Sequence, residues 1–168
     1  MNNNKAWILS IVLGLVGIAI SAAIFFGMMV VTGMIFGLVA IFTGALAGGL
    51  AGLGYRIGGG QLQTKSQASN FLWLTTIIGL ISVVAGFTLA PYIYTGAYAM
   101  TDFISFVELY AKLGGFSIID VLFVAIGAYG GRWAGQKLGY AFAMGQSRDE
   151  AMKEIKEKGV AKTDEKFK

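Results

Sequence analysis

Few side chains in this chain are equipped for chemistry, and most of them are cations beside apolar stretches. Arg56, Lys65, Arg132 and Lys137 each lie near the end of a hydrophobic run. Cations at that level suit the phosphates of anionic lipids, and Arg132 can reach toward the interface along its own apolar stem. Asp120 stands in the first turn of the last apolar run, where a carboxylate complements the helix dipole. Arg132 and Asp120 are read first as interfacial anchors. No ionisable residue falls in the middle of a run, so proton relays and ion coupling lack their usual carboxylate.

Other chemistry falls away by residue type. The chain holds no Cys and no His. Structural zinc, haem ligation by His or Cys, iron–sulfur clusters, disulfides and thiol nucleophiles are therefore excluded. No Ser–His or His–carboxylate pair can form. Gly58-Gly59-Gly60 is not followed by the Lys that a phosphate loop requires. The expectation is a non-enzymatic protein with no cofactor and no bound metal. The net charge of +4 comes from cations flanking apolar runs, so it encodes topology rather than affinity for nucleic acid.

The sharpest spacing is of residues with almost no side chain. Gly127, Gly131, Gly135 and Gly139 recur every fourth position, extended by Ala143, and Ala40, Gly44, Gly48 and Gly52 do the same. Ser82, Gly86 and Ala90 form a weaker version. In lipid there is little hydrophobic force between helices, and small residues at spacing four let two backbones approach closely enough for dispersion contacts to replace it. Such a stripe can pack inside one bundle, face another subunit, or line a pore.

The elements that carry these residues follow from hydropathy. Ala6 to Tyr55 is a run of fifty positions without a charge, with Ser10, Ser21, Thr32 and Thr43 as its only aliphatic hydroxyls. About 20 apolar residues cross a hydrocarbon core as helix, so the run holds two crossings. They are predicted at 6–31 and 34–55, turning at Thr32-Gly33 into an antiparallel hairpin. The first run is too long for the core of a cleaved signal, so an uncleaved anchor is expected. A polar, glycine-rich loop follows over Arg56–Asn70. Crossings three and four are predicted at 71–90, closed by Pro91, and 118–139. Between them, Phe103, Phe106, Val107, Tyr110 and Leu113 share one face of a short helix at 101–113, with Thr101 as cap; it suits the interface plane. Ser147-Arg148-Asp149-Glu150 reads as a capping box opening a charged helix over 148–158, ended by Gly159.

The fold class is thus an all-α integral membrane protein. It is a four-transmembrane-helix bundle with glycine-stripe packing, one external interfacial helix and a cytoplasmic C-terminal helix. Residues 1–145 form the membrane domain and 146–168 the charged tail. With the N-terminus inside, Lys5, Arg56, Lys65, Arg132, Lys137, Arg148 and six tail lysines are cytoplasmic and only Lys112 is external, which satisfies the positive-inside rule. Trp7, Trp73 and Trp133 then share the cytoplasmic side.

Val31-Thr32-Gly33, Gly37-Leu38-Val39-Ala40, Gly44, Gly48, Gly52 and Gly54-Tyr55-Arg56 ahead of a glycine cluster resemble a small four-helix membrane domain of uncharacterised prokaryotic proteins. So do Asp120-Val121-Leu122-Phe123, Ala128-Tyr129 and Arg132. In some members that domain follows a zinc ribbon, which this chain lacks. The resemblance covers most of residues 7–140 and implies four helices in a prokaryotic plasma or inner membrane. It brings no activity. Packing groups abound where chemical groups are scarce, so the expected role is a scaffold or accessory subunit that self-associates or joins a larger membrane complex. An oligomeric channel for a small solute, and a lipid-binding or membrane-shaping protein using Arg56, Lys65, Arg132 and Lys137, are the alternatives.

Overall fold

The computed structural model describes residues 4–32, 37–60, 62, 65–99, 102–113 and 117–141. Among them every regular element is a helix: α1 (Asn4–Thr32), α2 (Gly37–Ile57), α3 (Lys65–Tyr94), α4 (Phe103–Lys112) and α5 (Ile118–Gln136). A short 3₁₀ turn covers Ala97–Ala99, and a wide π turn at Lys137–Ala141 continues α5. Four of these helices are long and apolar enough to cross a membrane. The predicted turn at Gly33, the continuation to Ala143, the glycine pair 114–115 and the tail helix over 148–158 lie outside the described residues.

The four long helices form a ring. α1 packs on α2 and α3, α5 packs on α2 and α3, and α2 and α3 also touch across the middle. Within their most apolar stretches, 50% of α2 and 44% of α3 is buried, against 28% of α1 and of α5. α1 and α5 are therefore the outer corners. Their outward faces are large and apolar: Ile8, Leu15 and Val30 on α1, and Ile118, Val121 and Leu122 on α5, are all more than half exposed. That surface belongs in lipid, because in water it would be a contiguous apolar patch of the kind that drives aggregation.

Aromatic clusters close the two ends. At the near end, where α1 begins, the Tyr55 ring is fully buried, 5.2 Å from Trp7 and 4.9 Å from Phe71 between ring centres. Gly60 lies directly against that ring, with no room for a Cβ. At the far end, Tyr92 meets Phe103 at 5.3 Å and Phe106 at 5.1 Å, which docks α4 on the end of α3.

Three boundaries differ from expectation. α3 begins at Lys65 rather than Phe71, because its polar first turn is held from one side by Ala68 in the Tyr55–Phe71 cluster. α3 also continues through Pro91 to Tyr94. A proline there forfeits one bond, to the Phe87 carbonyl; the helix runs on without it, and its end is tied by the Thr95 N–H at 2.9 Å and hydroxyl at 2.7 Å, both donating to the Pro91 carbonyl. The stop is two residues further on than Tyr94, at Gly96, whose φ of 70° suits glycine. The cap of α4 is Asp102 and not Thr101: its carboxylate accepts from the Ser105 N–H at 2.8 Å. α5 opens on a capping box that the reading of Asp120 as a dipole partner missed. Ser117 Oγ accepts from the Asp120 N–H at 3.3 Å, and Asp120 accepts from the Ser117 N–H at 2.7 Å.

Candidate functional site

Two groups of sequence-predicted residues bear on function, the small-residue stripes and the four cations. The structure brings the two glycine stripes against each other. A methyl group built on Gly44 would strike the Gly127 carbonyl, one on Gly48 the Gly131 carbonyl, and one on Gly52 would lie 2.6 Å from the Gly135 carbonyl. Ala40 is fully buried at the same seam, its carbonyl 2.8 Å from where a Gly127 Cβ would stand. At the near end, Gly139 meets the Phe71 ring, and a Cβ on it would stand 3.5 Å from Gly52.

The α5 stripe has a second neighbour. A Cβ on Gly131 would stand 2.8 Å from the Gly79 α-carbon, and one on Gly135 would stand 2.5 Å from Thr75. α5 thus lies as a keel in the groove between α2 and α3, touching backbone on both sides. Gly79 was not singled out from the sequence. The weaker stripe faces inward as well: Ser82 and Ala90 are fully buried and Gly86 lies against the Phe25 ring.

A set of buried hydroxyls was also missed. Ser10 donates to the Ala51 carbonyl at 2.8 Å, tying α1 to α2. Ser21 donates to its own Gly17 carbonyl at 2.7 Å and, more weakly, to Thr43 at 3.1 Å. Ser82 shares its proton between Gly79 at 2.8 Å and the same Thr43 carbonyl at 3.4 Å. Hydroxyls of α1 and α3 therefore converge on one carbonyl of α2. The spacing Ser10, Gly14, Gly17, Ser21 carried the signal, but it runs four, three, four rather than in strict fours. Gly17 confirms the close approach, since a Cβ there would stand 2.7 Å from the Ala47 α-carbon.

The cations share one end of the ring, because α2 and α5 end there and α3 starts there. Arg132 and Lys137 are exposed on α5, and Arg56 is exposed at the end of α2. Lys65 is the first residue of α3. A groove of about 250 Å³ on α5 is lined by Tyr129, Arg132, Trp133 and Gln136, and the Lys137 ammonium stands 5.2 Å over the Trp133 ring. Arg56 does not line it. The described carboxylates, Asp102, Glu108 and Asp120, all belong to the opposite end.

No protein-family model matches this chain, and no curated protein and no solved structure matches it.

Proposed function

We propose that this chain is a non-enzymatic scaffold or accessory subunit of a prokaryotic plasma or inner membrane. In this reading both termini are cytoplasmic, α4 lies in the external interface and the charged tail forms a cytoplasmic helix. The protein self-associates or packs against another membrane protein through a small-residue face. The observation that carries the proposal is how the small residues are distributed. The stripes on α2 and α5 are occupied by each other inside one chain, while α1 leaves Ala19, Ala23 and Gly27 uncovered at spacing four on its outer side. Close approach of a second helix is favoured there. The backbone contact along α2, α3 and α5 also weighs against a pore through a single chain, since the axis is filled by Gly44, Gly79 and Gly131. The resemblance to the small four-helix membrane domain fits this reading and adds no activity to it.

Native mass spectrometry from a mild detergent tests the proposal. The expected species are multiples of 17.8 kDa or a complex with a further subunit, and Gly27→Leu reduces them to a folded monomer. A wild-type protein that is monomeric at every concentration, with no co-purifying partner, would sink it.

A further inference from the structure

Arg132 poses a problem of charge. It is exposed on α5, among Tyr129 and Trp133, which are 68% and 47% exposed. A guanidinium on the lipid-facing side of a span is costly unless something pairs with it. Among the described residues the carboxylates lie at the other end of the bundle. Beyond interfacial water, a counter-charge is available from lipid or from the charged tail.

Depth favours lipid. Arg132 lies seven helical steps before Gly139, about 10 Å at the helical rise. An arginine stem turned toward that end bridges part of the distance to the headgroups. Trp133, one residue nearer that end, is of the type enriched at membrane interfaces. The groove offers about 250 Å³ and is open on one side, so a phosphoglycerol headgroup can lie in it with its chains outside. Its chemistry is divided to match. Arg132 offers a planar fork of donors, the geometry that grips phosphate in bidentate fashion. Gln136 stands one turn further along the same face. Lys137 holds a second positive charge beside the Trp133 ring. Tyr129 and Trp133 supply aromatic walls.

We propose that Arg132, with Gln136 and Lys137, holds the phosphate of an anionic phospholipid in the groove walled by Tyr129 and Trp133. The assignment does not depend on the scaffold reading; the proposed orientation decides only that the cytoplasmic leaflet supplies the lipid.

The test is native mass spectrometry of the full-length protein in neutral detergent, titrated with phosphatidylglycerol or with phosphatidylcholine of the same chains. Wild type is expected to retain phosphatidylglycerol preferentially. Arg132→Gln is expected to lose about fivefold in that retention, the effect of one interfacial cation, with its thermal unfolding midpoint unchanged. Lys112→Gln at the far end and Arg56→Gln outside the groove are expected to change it less than about twofold. Equal retention of the two lipids by wild type would overturn the proposal. So would equal losses from Arg56→Gln and Arg132→Gln, which mean diffuse attraction. A preference that emerges only in Asp149→Asn/Glu150→Gln would assign the groove to the tail and overturn it too. Displacement of the lipid by inorganic phosphate would make it a soluble-anion site and end the lipid assignment. Oligomer mass, read in the same spectra, reports separately on the scaffold proposal.

Discussion

At Gly48 a single hydrogen separates two helices. A Cβ there would meet the backbone carbonyl of Gly131, which cannot swing aside as a flexible side chain would. Gly48→Ala is therefore expected to cost at least ~2 kcal/mol, toward the upper part of the overpacking range, measured by equilibrium unfolding in mixed micelles. Gly27→Ala, read on the dissociated monomer because Gly27 belongs to the face proposed for self-association, is the control. Its Cβ meets nothing within 4 Å, so it is expected to gain about 0.5–1 kcal/mol from the lower backbone entropy of the unfolded chain. Equal effects of the two would show that the seam is not close-packed. At this scale the spacing of the glycines was legible from the sequence, but their partner was not. A stripe of small residues declares that something comes close without naming it. Ser10, Ser21 and Ser82 went unread because a hydroxyl in an apolar run looks the same whether it bonds its own turn or the next helix.

Among the elements, hydropathy located the four long helices and was least informative at their ends. It falls to zero where lipid ends, while a helix ends where its backbone bonds do. Lys65–Asn70 is polar yet helical, and Pro91 is a poor stop because a proline in the last turn costs a single bond and Thr95 ties the carbonyl of Pro91 itself. The short α4 illustrates the converse, since its amphipathic face was plain and its cap was misplaced by one residue. Asp102 accepts the backbone N–H and the hydroxyl of Ser105, which hold its carboxyl below the ordinary aspartate value of 3.8. A depressed folded-state value means that the cap is intact above the ordinary value and is lost as the pH falls through the lower one. Hydrogen exchange of α4 is expected to stay slow from neutral pH down to the ordinary carboxylate range, after correction for intrinsic rates, and to quicken below it. Asp102→Ala is expected to show the quick exchange already at neutral pH, and Asp102→Asn to restore the slow exchange there without the acid limb. An acid limb that persists in Asp102→Asn would place the titration elsewhere.

For the whole molecule, the absence of cysteine makes orientation directly measurable. In intact cells Lys112→Cys is expected to react with an impermeant maleimide, and Lys137→Cys only after permeabilisation; the opposite pattern would invert the topology. The charge count is what argues for this orientation. The order of helices around the ring was not readable beyond the first hairpin, because short connections announce only neighbours in the chain. The α2–α5 seam joins segments with all of α3 and α4 between them. That separation gives assembly a schedule. Chain synthesis proceeds at roughly 5–20 residues per second, so α2 waits on the order of seconds with its glycine face uncovered before α5 emerges. α5 is the keystone, the last of the four long described helices to be made and the one that touches backbone on both sides. A chain halted before it leaves two unlocked helices in the bilayer, a species that quality-control proteases or a passing helix of another protein would meet first.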